Sequence, residues 1–190
     1  MKTETKNNMN IIDQTTEDYR DHRIVVTWER DDFMCPPWEE HDGCGIVSDW
    51  TSRDKRPGER VLSADRSSRR YYDFEGTIRR ATKDGWGLSD ESLAKLANEL
   101  QREPTKKEII AKAVERDFEY LRGWCNDEWC WCVRSVEIQA TKYSDSLCGI
   151  DGTEETIKSY TAEAIREAKA WLDNELAESQ DAACRDIVTV

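Results

Sequence analysis

The sequence lacks long apolar runs. No stretch of its 190 residues approaches the roughly 18 to 20 consecutive apolar residues that a membrane span needs. The N-terminal segment MKTETKNNMN has none of the apolar character of a signal peptide, and the mean hydropathy is low at -0.85. These absences predict a soluble, unexported cytoplasmic protein with no membrane partner.

The motifs of the common enzyme classes are absent as well. We find no phosphate-binding loop, no G-x-G-x-x-G, no H-E-x-x-H and no G-x-S-x-G, and the chain has only two histidines. We therefore expect a protein that is not an enzyme and that needs no cofactor.

Cysteine is present without a framework. The seven cysteines are an odd number at irregular spacings, which favours reduced thiols over disulfides in an unexported chain. Five residues supply soft metal ligands: His41, Cys44, Cys125, Cys130 and Cys132. Their C-x4-C-x-C spacing is not typical of structural zinc, so we predict no metal and interpret the cysteines as small buried hydrophobes. A nucleophilic Cys44 activated by His41 and Asp42 is disfavoured, because loop neighbours seldom reach the required geometry.

Negative charge dominates, but unevenly. The net charge of -12 and pI near 4.8 disfavour nucleic acid or an acidic membrane as the partner of the whole chain. Residues 53–83 nevertheless carry ten Lys and Arg against five Asp and Glu, whereas residues 142–190 have a net charge of -6.

The distribution of apolar residues indicates a flexible N-terminal arm over residues 1–20 and a single domain over 21–190. A β-branched run predicts a strand at Arg23 to Glu29, and a long loop without regular structure follows from Asp31 to Gly58. Val61 and Leu62 indicate a short strand.

Capping signals predict three helices. Asp73 is the expected N-cap of a helix to Asp84 that ends at Gly85, with Ile78 and Ala81 on its inner side. Ser89 caps the second helix. Thr105 and Glu108 have capping-box spacing at the start of the third, which runs to residues 126–127 and whose inward stripe includes Asp117.

The remaining segment predicts two strands and a last helix. Residues 129–140 have the best strand pattern, with a bulge after Val133, and residues 146–150 are expected to pair with them. The last helix is predicted over residues 154–179. The expected fold is α+β, a mostly antiparallel sheet of three to five strands with about four helices packed on it. Trp124, Trp129 and Trp131 are expected in the core.

The last helix separates its charges by face. Ile157, Thr161, Ala164, Ala168 and Leu172 share an inner sector. Acidic side chains form a neighbouring stripe roughly 27 Å long with carboxylates about 6 Å or more apart, near the spacing of phosphates along a DNA strand. The stripe predicts a partner-binding surface at Glu163, Glu167, Glu178 and Asp181. An ordinary solvated helix face is the alternative.

The basic segment places guanidinium groups beside aromatic rings, the ingredients of nucleic-acid contact. The residues concerned are Arg53, Lys55, Arg56, Arg60, Arg69, Arg70 and Tyr71. Internal salt bridges that hold the long loop are the alternative interpretation.

Two stretches carry a resemblance. The segment from Pro36-Pro37-Trp38 through Ser48-Asp49-Trp50 to Arg60, and the segment from Phe118 to Trp129, resemble small acidic accessory or early proteins of tailed bacteriophages and prophages. The similarity spans residues 24–140. It implies an infected bacterial cytoplasm, in which such proteins disarm host enzymes, including restriction and CRISPR machinery.

Three functional hypotheses follow. The first is a stoichiometric inhibitor of a host defence or nucleic-acid-handling complex, a protein or ribonucleoprotein partner, acting by nucleic-acid mimicry. The second is a nucleic-acid-binding regulatory protein that uses the basic segment. The third is an enzyme or metal-dependent module around His41, Cys44 and the later cysteines. The sequence does not specify the oligomeric state.

Overall fold

The computed structural model describes the backbone over residues 10–188 and the side chains over residues 10–178. The chain forms two compact units, each described here by itself. The sheet unit contains the chain up to Met34 and from Trp129 onward, and the hairpin unit is Cys35–Glu128. The fold is α+β, as predicted, while the single domain over residues 21–190 stays a prediction.

The secondary structure elements follow in chain order. The strands are β1 (Ile11–Tyr19), β2 (His22–Arg30), β3 (Glu59–Ala64), β4 (Arg69–Asp73), β5 (Trp131–Ile138) and β6 (Ser144–Asp151). The helices are α1 (Pro37–Glu40), α2 (Phe74–Asp84), α3 (Asp90–Leu100), α4 (Lys106–Cys125) and α5 (Glu154–Val188). None of the helices in the described part of the chain has the length and apolar character needed to cross a membrane.

The sheet unit is an antiparallel sheet of order β1-β2-β5-β6 with α5 against one face. Ile24, Val26 and Trp28 of β2 are buried on that face. Four residues of the predicted inner sector of α5 are buried as expected: Thr161, Ala164, Ala168 and Leu172. The Trp28 indole donates a hydrogen bond to the Thr161 hydroxyl at 2.9 Å, so the largest core side chain has its polar atom satisfied.

Strand β1 corrects the prediction of a flexible arm over residues 1–20. Its side chains are mostly polar, so no strand was predicted there, but its backbone is paired along its length with β2. The connection is a two-residue turn at Arg20 and Asp21, both with positive φ (48° and 63°), the backbone twist that suits a tight hairpin. Asp21 is a common turn residue at such an angle but Arg20 is not, so the pair lacks the glycine-containing signal of a two-residue hairpin. The first nine residues of the predicted arm lie outside the described residues.

Strands β5 and β6 confirm the predicted pairing. The bulge expected in residues 129–140 is not confirmed, because β5 pairs with β2 without a shift; the register shift between Cys132 and Arg134 places Val133 opposite Cys148 and Gly149, so the extra residue lies in β6. Helix α5 begins at Glu154 as predicted but extends to Val188 rather than ending near Ser179.

The hairpin unit consists of the β3–β4 hairpin and helices α1 to α4. The predicted caps are confirmed: the Asp73 carboxylate accepts from the Gly76 amide, and Gly85 is left-handed at φ 74°. Ile78 is a correction, because it is 38% exposed whereas Ala81 is fully buried. Strand β4 was missed because its first residues, Arg69 and Arg70, are charged.

The predicted loop contains more order than expected. Within it lies the one-turn helix α1, and isolated bridges join Val47 to Tyr72 and Thr51 to Arg69. The loop therefore runs along the free edge of β4, a pairing distant in sequence that local patterns do not reveal.

The capping box of α4 predicts a pH-dependent stability. The Arg102 guanidinium and the Thr105 amide and hydroxyl lower the pKa of Glu108 from 4.5 to about 2. A carboxyl whose pKa is lower in the folded state contributes stability above its unfolded pKa and loses it as the pH falls through its folded pKa. We expect Glu108→Gln to flatten the dependence of the urea midpoint on pH between about 5 and 2. Glu103→Gln, a nearby exposed carboxylate, serves as the control; equal slopes for Glu108→Gln and wild type would contradict the assignment.

Candidate functional surfaces

The acidic face of α5, here the residues Glu163, Glu167 and Glu178, lies on a helix exposed along this side. Glu167 and Glu178 are exposed and have no cationic partner among the described side chains. Glu163 forms an ion pair with Arg166 at 3.4 Å. The fourth predicted residue, Asp181, lies outside the described side chains.

Other carboxylates of α5 are engaged within the sheet unit. Asp173 accepts from Tyr19 and pairs with Arg20 at 2.9 Å, and Glu175 lies 3.9 Å from Lys142. By sequence, the sheet unit has 11 Lys and Arg against 20 Asp and Glu, compared with 17 against 20 in the hairpin unit. Most of the excess negative charge therefore belongs to the unit that contains α5.

The predicted basic segment is not an open row of guanidinium groups. Arg53 pairs with Glu59 at 2.6 Å and lies over the ring of Tyr71 at 4.7 Å. The Tyr71 ring is buried and its hydroxyl donates to the Arg53 carbonyl at 2.9 Å. Tyr71 is therefore not available to stack on a base, and the Arg53 guanidinium is held by the carboxylate of Glu59.

Arg60 and Arg70 are also held by neighbours. Arg60 pairs with Glu115 at 2.7 Å and lies over Phe74 at 3.8 Å. The Arg70 guanidinium lies 4.7 Å from the ring of Trp38 and 5.4 Å from that of Trp50. These contacts favour the alternative interpretation, in which the arginines fix the loop.

Three members of the segment remain accessible. Lys55, Arg56 and Arg69 are exposed, and no carboxylate among the described side chains forms an ion pair with any of them. Arg69 and Tyr71 alternate with Arg70 along β4, so the two arginines point to opposite faces of the hairpin. Of the seven residues predicted for nucleic-acid contact, these three are the ones free to contact a phosphate backbone.

Cys44 and Cys132 lie in buried environments that favour the thiol. Cys44 is buried, its sulfur donates to the Pro37 carbonyl at 3.4 Å, and burial raises its pKa to about 11. Burial raises the pKa of Cys132 to about 12. Cys44 therefore does not offer a thiolate near neutral pH. Within the described residues, no group of three or more His, Cys, Asp or Glu is placed to hold a metal ion.

The tryptophans divide into core and surface. Trp129 and Trp131 are buried as predicted and meet edge to face at 5.3 Å. Trp124 is half-buried and contacts Trp38 in the same way at 5.3 Å. Trp50 is 48% exposed, beside Arg70.

A pocket that the sequence analysis did not identify lies in the hairpin unit. Its volume is about 470 Å³, and its lining includes Asp117, Trp86 and Tyr120. The signal was present in the sequence, because Asp117 is a carboxylate within the inward stripe of α4. Sequence alone did not place Trp86 opposite it.

No family model, no curated protein and no solved structure matches this chain.

Proposed function

We propose that this protein is a stoichiometric inhibitor, and that the acidic face of α5 binds a cationic surface of a host nucleic-acid-handling complex. The observation that carries the proposal is the pair Glu167 and Glu178, two exposed carboxylates without a cationic partner among the described side chains. They lie on the unit with the larger excess of negative charge, which steers a positively charged partner toward it.

The helix fixes the separations between the carboxylates that would stand in for phosphates. At about 1.5 Å per residue, Glu163 and Glu167 are roughly 6 Å apart along the axis and Glu167 and Glu178 roughly 16 Å. The buried inner sector of α5 fixes which way these side chains face. Carboxylates held at set positions match a groove whose Lys and Arg are spaced for phosphates.

The biological setting of the proposal comes from the sequence resemblance to phage accessory proteins. In that setting the partner is a restriction or CRISPR complex in an infected bacterial cytoplasm, a protein or ribonucleoprotein that normally grips nucleic acid. The inhibitor performs no chemistry and acts by occupying the nucleic-acid-binding site of that complex.

The test is capture followed by titration. Tagged protein is used to isolate a nuclease-resistant complex from host lysate, and the purified complex is then titrated for cleavage of its nucleic-acid substrate. We expect protection that is complete near one protein per complex. Glu167→Gln with Glu178→Gln should weaken it about tenfold, because two interfacial charge contacts are lost.

The matched control is Glu39→Gln with Glu103→Gln, which removes the same charge from the hairpin unit. It should inhibit as the wild type does. Full protection at substoichiometric amounts would indicate turnover and reject the proposal. Equal weakening by both double variants would reject the acidic face as the binding surface.

Direct nucleic-acid binding is the second candidate, favoured by the unpaired Lys55, Arg56 and Arg69. It predicts that fluorescence anisotropy of a labelled oligonucleotide rises at low salt and falls steeply as salt is added. Alanine at these three positions should abolish the signal, while Lys106→Ala with Lys107→Ala should preserve it. Arg70 is a poor choice for this test because it packs between Trp38 and Trp50. No anisotropy change at low salt would remove this candidate.

A further inference from the structure

The pocket of about 470 Å³ in the hairpin unit combines an aromatic and apolar lining with one half-buried carboxylate. Trp86 and Tyr120 supply the rings, and Leu88 and Ala113 supply apolar surface. Asp117 of α4 is the acidic residue in the lining. Aromatic rings beside a carboxylate in a partly dry pocket are the surroundings in which proteins bind organic cations.

The two oxygens of Asp117 are used differently. Oδ2 accepts from the Tyr72 hydroxyl at 2.6 Å and from the Gly45 amide at 2.9 Å. No hydrogen bond from the described residues reaches Oδ1. Among these residues, the buried side-chain nitrogens and oxygens without a partner are Arg70 Nε and Arg134 Nε, so Oδ1 is not sealed away. Asp117 is one of the residues that line the pocket.

The nearest cations are committed to other acceptors. Arg116, which also lines the pocket, donates to the Ser92 hydroxyl at 2.7 Å. Arg80 donates to the carbonyls of Asp42 and Cys44, at 2.5 and 3.2 Å. Arg80 lowers the pKa of Asp117, but burial outweighs this effect and leaves the pKa of that carboxyl above its ordinary value. Among the described side chains, Asp117 therefore has no ion pair, and Arg80 pairs with Asp84 at 3.6 Å instead.

We propose that this pocket binds an organic cation, an alkylammonium or guanidinium group that donates to Asp117 Oδ1 and lies against Trp86 and Tyr120. Such a group supplies the hydrogen bond that Oδ1 lacks and a counter-charge for a carboxylate that has no ion pair among the described side chains. The same chemistry is carried by free polyamines and by Lys or Arg side chains of another protein. The inference concerns the hairpin unit and does not depend on the proposed role of α5.

The experiment titrates the full-length protein calorimetrically with three probes: agmatine, spermidine and an acetylated Ala-Arg-Ala amide peptide. We expect saturable binding at millimolar or lower concentrations for at least one probe. Binding of agmatine or spermidine without the peptide identifies a free cation as the ligand. Tighter binding of the peptide identifies a side chain presented by a protein.

Asp117→Asn tests the residue. Asparagine retains an oxygen that accepts from Tyr72 and Gly45 but loses the charge, and it should weaken binding at least about tenfold, since a hydrogen bond to a charged group is lost. Glu119→Gln, which removes an exposed carboxylate two residues along the same helix, should bind as the wild type does. In the unmodified protein, the side-chain carboxyl carbon of Asp117 should shift in NMR spectra as the probe is added, a readout independent of whether the variant folds. No binding by any probe, or binding that leaves the Asp117 signal in place, would overturn the proposal.

Discussion

Gly45→Ala is expected to destabilise the hairpin unit by about 3 kcal/mol, because the new methyl group has no room. A Cβ at Gly45 would lie 2.3 Å from the hydroxyl oxygen of Tyr72 and 2.4 to 2.5 Å from two carbons of its ring. Tyr72 is 0% exposed, and its ring packs edge to face on Phe74 and Phe118 at 4.9 and 5.5 Å. The clash therefore falls on a side chain that is held from both sides.

The same substitution also disturbs a polar network. The Gly45 amide and the Tyr72 hydroxyl both donate to Asp117, so a shift of either donor leaves a half-buried carboxylate short of a hydrogen bond. Because both effects act at one site in the hairpin unit, we expect one shifted urea transition, measured on the full-length chain, to report the combined loss of stability. Tryptophan fluorescence follows it, since Trp38, Trp86 and Trp124 lie in this unit.

Gly43→Ala is the matched control. It lies two residues earlier in the same loop, and a Cβ there meets nothing within 4 Å. Its midpoint should stay within about 0.5 kcal/mol of the wild type. Similar urea midpoints for the two variants would show that the loop moves away from Tyr72 to accommodate the methyl group, and would contradict the expected clash.

The starts of α2, α3 and α4 could be predicted because their signals are local. Asp73 and Ser89 each bond an amide three residues ahead, and Thr105 and Glu108 form a reciprocal pair, so a few residues contain the whole interaction. The same holds for the inner sector of α5, where a 3.6-residue period marks the buried side.

Strands without an apolar pattern were not predicted in this way. Most residues of β1 are polar and β4 begins with two arginines. Their strand conformation depends on a partner: β2 across a tight turn, and for β4 both β3 and the loop at Thr51. Backbone hydrogen bonds to the partner strand determine whether these segments form strands. Every sequence has the same backbone groups, so the side-chain pattern does not reveal such pairing.

The candidate sites show the same division. The acidic face of α5 follows from helical spacing, so its residues could be chosen in advance. Whether a guanidinium is free depends on partners elsewhere in the chain: Glu115 is 55 residues from Arg60. The Asp117 pocket is lined by residues from Gly43 to Tyr120, and Asp117 is bonded by the Gly45 amide, 72 residues away. Such sites depend on tertiary contacts that a linear pattern does not contain.

Asp145→Ala is the second substitution with a large expected effect, in the sheet unit. Arg134 of β5 is 4% exposed. It pairs with Trp28 of the neighbouring strand β2, and both side chains lie on the side of the sheet that faces α5. Its guanidinium forms an ion pair with Asp145, whose side chain is 46% exposed, and its Nε has no partner among the described residues. Truncating Asp145 leaves a buried positive charge without its counter-ion, and we expect a loss of about 3 kcal/mol in the free energy of unfolding.

A double variant separates the value of the pair from the cost of breaking it. Arg134→Met with Asp145→Ala removes the buried charge together with its partner, and its free energy of unfolding should recover much of the loss, since apolar replacement of a buried pair is often near neutral. Glu137→Gln, at an exposed position of the same strand, should change the urea midpoint little. If the double variant is as unstable as Asp145→Ala alone, then the loss comes from packing around Asp145, and the buried guanidinium of Arg134 is not the cause.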